Sequence, residues 1–195
     1  MRNFTPGSYA WPVRGGSSAI RSPHSAMLVL GVDPGTAATG YGVVSRDGIG
    51  QHRLVECGVI RTRPRDPLPA RLREIFEGVR ELIARHRPST LVVEDVFYAK
   101  NVRTTVVLGH ARGVVLLAGQ LAELDIHEYP PAEIKKAIVG SGAATKEQVQ
   151  YMLARLLRLK EPPQPSDAAD GVAAALTYCM GSRVDQLRDR LAPSS

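Results

Sequence analysis

Three short apolar runs joined by tight turns open the patterned part of the chain, and strand-length and helix-length segments alternate after them. Leu28-Val-Leu-Gly-Val-Asp33 ends in Asp-Pro-Gly, Tyr41-Gly-Val-Val-Ser45 follows a Gly- and Thr-rich turn, and Arg53-Leu-Val-Glu-Cys-Gly-Val-Ile60 comes after Asp47-Gly48. Runs of this length, punctuated in this way, predict an antiparallel meander. Leu72, Ile75, Phe76, Val79, Leu82 and Ile83 then recur at helical spacing within residues 68–86. Thr90-Leu-Val-Val-Glu94 is the fourth strand, residues 102–124 a second helix, and residues 126–129 a fifth strand stopped by Pro130-Pro131. Thr145 and Gln148 form a capping box for a helix to Leu159. Pro162, Pro163 and Pro165 interrupt the chain before a last helix from Asp167 to about Met180.

The resulting order, β-β-β-α-β-α-β-α-α, restricts the fold sharply. Strand-helix-strand crossovers are right-handed in nearly all proteins, so the fourth strand lies parallel beside the first and the fifth lies beyond it. The expectation is an α/β domain with a mixed five-stranded sheet, three strands antiparallel and the next parallel, and helices on both faces. Three segments divide the 195 residues. Residues 1–26, rich in Gly, Ser and Pro, read as a flexible extension or a start placed too far upstream; 27–182 form the domain; 183–195 form a polar tail.

Charge and cysteine usage narrow the class. The net charge is +6, but Arg2, Arg14 and Arg21 face no acid in the extension, leaving 22 basic against 19 acidic side chains in residues 27–195. A mildly basic domain of this kind is compatible with a phosphate-rich partner. Cys57 and Cys179 stand far apart, without metal-ligand or disulfide spacing, and read as buried thiols of a reducing, cytoplasmic compartment. The strongest apolar stretch, residues 113–119, is followed by Gln120 and Glu123, short of the ~20 residues that span a bilayer, so no membrane span is expected.

Two carboxylates end strands that the topology makes neighbours, Asp33 on the first and Glu94 on the fourth. Sites in open sheets gather at the carboxyl ends of strands. Asp167 and Asp170 add two more acids three residues apart on one helix face. Singly, each has a structural explanation: Asp33 opens a turn, Glu94 closes a strand, and Asp167 and Asp170 suit a helix N-terminus. Converging carboxylates, however, repel one another unless a cation neutralises them, and an all-oxygen donor set suits Mg²⁺ or Mn²⁺. The chemistry that follows is phosphodiester hydrolysis by two ions ~3.5–4 Å apart.

Six blocks carry a more specific resemblance: Gly31-Val-Asp33-Pro-Gly35, Glu94-Asp-Val-Phe97-Tyr-Ala-Lys100-Asn101, Leu108-Gly-His-Ala-Arg112-Gly113, Tyr129-Pro-Pro-Ala-Glu-Ile-Lys135-Lys-Ala-Ile-Val-Gly-Ser-Gly142, Lys146-Glu-Gln-Val-Gln150 and Asp167-Ala-Ala-Asp170-Gly171. In this order and spacing the chain resembles the RuvC family of bacterial Holliday junction resolvases, over residues 27–180. The resemblance implies a ribonuclease H-like fold and a homodimer that nicks opposed strands of a four-way DNA junction symmetrically, leaving 5′-phosphate and 3′-hydroxyl ends. It implies Asp33, Glu94, Asp167 and Asp170 as ligands of two Mg²⁺ ions, with Mn²⁺ a substitute, and the RuvA–RuvB branch-migration complex as partner. Lys135 and Lys146 would contact the DNA backbone at the cut, and Phe97 would stack on an unpaired base, although a core Phe is the alternative. Tyr98, Lys100, Asn101 and Arg103 cluster near Phe97 as DNA contacts, and Lys136 beside Lys135 joins that set or the solvated face.

The second helix is apolar on more than one face, through Val106, Val107, Leu108, Val114, Val115, Leu116, Leu117 and Leu121, so it is either deeply buried or shared with a partner chain. The family resemblance favours a two-fold dimer through it. Three rival readings are weaker. An actin-like or sugar-kinase-like ATPase shares the Asp-Pro-Gly turn but closes two domains over its nucleotide, and a non-cutting junction binder or an RNA–DNA hybrid nuclease would have to be separated by cleavage assays.

Overall fold

The computed structural model describes residues 26–95 and 102–191, side chains excepted at 102–103 and 182–191. The elements in chain order are β1 (Met27–Asp33), β2 (Ala38–Arg46), β3 (His52–Arg61), α1 (Leu68–His86), β4 (Thr90–Glu94), α2 (Val102–Leu121), β5 (Asp125–Tyr129), α3 (Pro131–Val139), α4 (Lys146–Leu156) and α5 (Ser166–Leu191). The sheet order is β3-β2-β1-β4-β5, with β1-β2 and β2-β3 antiparallel and β1-β4 and β4-β5 parallel. This is the arrangement the crossover rule predicts.

Strand alternation feeds two cores. Val29, Val44 and Val92 face α3, α4 and α5, while Leu30, Val32, Val43, Leu91 and Val93 face α1 and α2. On α1 the predicted stripe of Leu72, Ile75, Phe76, Val79, Leu82 and Ile83 packs into the second core. On α2 the two-faced apolar pattern divides. Ala111, Val115 and Ala118 are fully buried against the sheet, whereas Val106, Leu117 and Leu121 are exposed. By length and composition alone Thr104–Leu121 would pass for a membrane span. Its buried alanine and valine stripe, and the pairing of Arg112 with Asp95 and Glu128, bind it to the domain.

Four expectations change. A helix, α3, begins where Pro130-Pro131 appeared only to stop a strand: Pro131 sits in its first turn, where the missing N–H costs nothing, and Gly140 closes it at φ 89°. The last helix runs on to Leu191 in place of ending near Met180, and α4 ends at Leu156 in place of Leu159. Cys179 is buried as expected, but Cys57 on the edge strand β3 is only half-buried. The extension before Ala26, with Trp11, lies outside the described residues.

Candidate active site

Asp33 and Glu94 are the last residues of β1 and β4, which pair in parallel through Val32 and Val93, so both carboxylates leave the same edge of the sheet side by side. Asp167 and Asp170 reach that edge because α5 lies directly on the backbone of β1 and β2. A Cβ on Gly40 would fall on the Asp167 carbonyl oxygen, and one on Gly171 would fall on the backbone of Tyr41. Glycine at these two positions is what lets helix and sheet approach so closely. Asp167 and Asp170 stand at the start of α5, where the helix dipole favours anions.

The acids feel one another. Burial first, then Asp170 and Asp167, push the Asp33 carboxyl up to about 6, against the pull of Lys146. Glu94 is pushed up to about 8 by burial, then by Asp33 and Asp170, with Lys146 and Lys135 opposing. Burial also raises Asp170, although its hydrogen bond from Lys146 works the other way. All four acids therefore belong to one electrostatic centre, as their placement in the chain predicts. No three acidic, imidazole or thiol side chains among the described residues stand close enough to form a ready ligand cage. The centre is a half-buried, mutually repelling set of oxygens that needs positive charge to close.

Lys146 supplies the nearest such charge. Its Nζ donates to Asp170 Oδ2 at 2.7 Å. Burial alone would lower the Lys146 pKa, but the hydrogen bond and the charges of Asp170, Asp167 and Asp33 outweigh it and raise it. The predicted capping box aims this side chain: Thr145 N–H donates to Gln148 Oε1 at 2.8 Å, Gln148 N–H donates to Thr145 Oγ1 at 3.3 Å, and Lys146 is the first residue of α4. Lys135 on α3 is half-buried within electrostatic range of Glu94 and Asp170, while Lys136 is exposed on the same helix. Phe97, Tyr98, Lys100 and Asn101 lie outside the described residues, as does the side chain of Arg103.

Sequence reading missed two kinds of contributor. Gly40 and Gly171 carry no chemistry, and the signal that finds them is steric. The second is a bolt on the turn after Asp33: Thr62 Oγ1 donates to Thr36 O at 2.5 Å, and Arg71 Nε donates to Thr36 O at 3.2 Å and to Thr62 Oγ1 at 3.0 Å. No periodicity connects residues so far apart in sequence.

Comparison with known proteins identifies the family. The family profile described as "Crossover junction endodeoxyribonuclease RuvC" matches residues 29–178. The chain is 47% identical over 152 residues to the protein of that name from Pelotomaculum thermopropionicum, covering 78% of this chain and 92% of the relative. It is 42% identical over 156 residues to the one from Desulforamulus reducens, covering 80% and 95%. Among solved structures it superposes on Thermus thermophilus RuvC with a TM-score of 0.75 at 37% identity, over 82% of this chain and 97% of that one. It also matches T. thermophilus RuvC in complex with Holliday junction substrate, with a TM-score of 0.73 at 35% identity, over 81% and 96%. The fold alone extends to the yeast mitochondrial Holliday junction resolvase, with a TM-score of 0.63 at 12% identity over 83% and 81%. With most of its length matched by the profile and by relatives well above 30% identity, the chain belongs to the RuvC family of crossover junction endodeoxyribonucleases.

Proposed function

We propose that this protein is a cytoplasmic Holliday junction resolvase that hydrolyses one phosphodiester per active site at the centre made by Asp33, Glu94, Asp167 and Asp170. The observation that carries the reading is that Asp33 and Glu94, on adjacent parallel strand ends, are both half-buried and both pushed up, Glu94 partly by Asp33 and each partly by Asp170. Such a centre has little structural use and costs stability, so it points to function. The relatives it matches are named crossover junction endodeoxyribonucleases, and one matched structure holds a junction.

The four acids would hold two Mg²⁺ ions, with Mn²⁺ as substitute, because the donors are all oxygen and the raised proton affinity of Asp33, Glu94 and Asp170 marks a deficit of positive charge. Bound there, the ions supply an activated water and charge stabilisation for the leaving 3′ oxygen. The chain does the rest. The buried walls under Asp33 and Glu94 keep the field around the reacting phosphate strong. Lys146 and Lys135 bring cationic charge to the rim of the centre, where a scissile phosphate presents its oxygens. Products with 5′-phosphate and 3′-hydroxyl ends follow from breakage at the 3′ oxygen. Phe97, Tyr98, Lys100, Asn101, Arg103 and Lys136 are assigned to DNA contacts, Phe97 by base stacking.

The exposed stripe of α2 supports a homodimer. Val106, Gly113 and Leu117 line one apolar groove with Leu72 of α1, and a side chain at Gly109 or Gly113 would meet nothing. A second copy of the helix fits such a surface, and two-fold symmetry suits two equivalent strands to be nicked. The RuvA–RuvB complex is proposed as the partner that delivers the junction. The test is cleavage of a synthetic four-way junction beside a linear duplex, with and without Mg²⁺, by wild type and Glu94→Gln. Paired nicks in the junction alone, dependent on the ion and lost in Glu94→Gln, are expected; cleavage in EDTA, or equal cutting of the duplex, would overturn the reading.

A further inference from the structure

The segment between β3 and α1, Arg61-Thr-Arg-Pro-Arg-Asp-Pro67, is the densest basic patch among the described residues that the active centre does not use. Its place in the fold follows from the sheet. Both β1 and β3 pair antiparallel with β2, so they run the same way, and Arg61 at the end of β3 emerges at the edge where Asp33 ends β1. The loop is bolted to the turn after Asp33. Thr62 N–H donates to Ala37 O at 3.1 Å, and Thr62 and Arg71 share the Thr36 carbonyl. Thr36 stands three residues from Asp33, at most ~11 Å of extended chain.

The loop is also stiff. Thr62 is buried, Asp66 N–H donates to Arg63 O at 3.0 Å, Pro64 and Pro67 fix their own φ, and the N–H groups of Ala70 and Arg71 close onto Pro67 O. The guanidinium groups of Arg61, Arg63 and Arg65 are held out from it, all exposed. Three arginines outside the loop are committed to carboxylates: Arg85 to Glu56 and Glu81, Arg112 to Asp95 and Glu128, Arg73 to Glu77. Among the described residues no carboxylate pairs with Arg61, Arg63 or Arg65, although Asp66 lies within the loop. Three unpaired cations within five residues repel one another, an arrangement that an array of anions relieves.

We propose that Arg63 and Arg65 form a phosphate clamp that grips the backbone of the DNA arm leaving the active centre along the β3 edge. The inference rests on the junction-nuclease reading above and adds to it a second contact surface, separate from the carboxylates and from Lys135 and Lys146. A rigid loop at this place suits DNA because the guanidinium positions are set before binding, so little side-chain and loop order is lost on contact.

The test uses the full chain, a labelled four-way junction and EDTA to prevent cutting, with binding followed by anisotropy from 50 to 200 mM salt. Each phosphate contact adds about 0.9 to the magnitude of the log K against log salt slope, so Arg63→Ala/Arg65→Ala should flatten it by about 1.8 and weaken binding at least about tenfold at low salt. Arg63→Lys/Arg65→Lys should keep most of the slope, because a phosphate accepts a point charge. In Mg²⁺ the alanine variant should lose activity through KM, and trimming the junction arms should erase its difference from wild type. An alanine variant that melts with wild type and shows an unchanged slope and affinity would overturn the clamp. A wild type that binds linear duplex as well as junction would instead overturn the junction reading, leaving the slope difference to be read on either DNA.

Discussion

Replacing Glu94 by Gln should stabilise the ion-free protein while abolishing cleavage. The Glu94 carboxyl has an ordinary value of 4.5 and is pushed up to about 8 by burial first and then by Asp33 and Asp170. An acid whose folded pKa is raised adds its stability fully below the unfolded pKa and loses it as pH rises through the folded value. At 1.36 kcal/mol per tenfold change in proton affinity, the carboxyl costs the folded state about 3 kcal/mol at pH 7 and less than about 1 kcal/mol at pH 5. Gln has the shape of the neutral acid and carries no charge, so Glu94→Gln should recover that amount. For a chain of this size ~1 kcal/mol moves Tm by about 2–4 °C, which gives a rise of about 6–12 °C at pH 7 in EDTA, shrinking to a few degrees at pH 5. Thermal unfolding followed by circular dichroism at the two pH values measures it. A variant no more stable than wild type at pH 7, or a gain as large at pH 5, would refute the idea that the centre is electrostatically strained.

Further outcomes follow from the same geometry. Wild type without divalent ions should lose stability steadily between about pH 4 and pH 8, and Mg²⁺ should raise its Tm more at pH 8 than at pH 5, since Asp33 at about 6 and Glu94 at about 8 both ionise across that window. Gly40→Ala should push α5 off the sheet, costing about 1–3 kcal/mol by denaturant titration and more than tenfold in kcat, because the new methyl meets the Asp167 carbonyl. Leu117→Glu on the exposed stripe of α2 should give a folded monomer in sedimentation velocity and replace paired nicking with single nicks; a dimer that persists would move the interface elsewhere.

Much of this is legible in the sequence, for identifiable reasons. The position of β4 beside β1 follows from chain handedness, and Thr145 with Gln148 states a helix start in side-chain chemistry. Asp33 and Glu94 end adjacent parallel strands, so topology alone makes them neighbours. Other features depend on information that linear order does not hold. Pro130-Pro131 serves equally as a strand stop and a helix start, and only Ile134 and Ile138, four apart and buried, with Gly140 behind them, decide for α3. Which apolar face of α2 is buried depends on what packs there. Ala111 and Ala118 go inward because the helix must approach the sheet closely, and the larger Leu117 and Leu121 are left outside. The bolt of Thr36, Thr62 and Arg71 joins three segments whose contact no pattern announces.

The most direct measurement is the anomalous signal of Mn²⁺ diffused into crystals of the wild-type protein. Peaks bounded by Asp33, Glu94, Asp167 and Asp170, with the Lys146 ammonium released from Asp170, are expected, since both cations compete for the same oxygens. Strong Mn²⁺ peaks elsewhere, with the four carboxylates bare and the Lys146–Asp170 pair intact, would contradict a metal-dependent centre at this edge of the sheet.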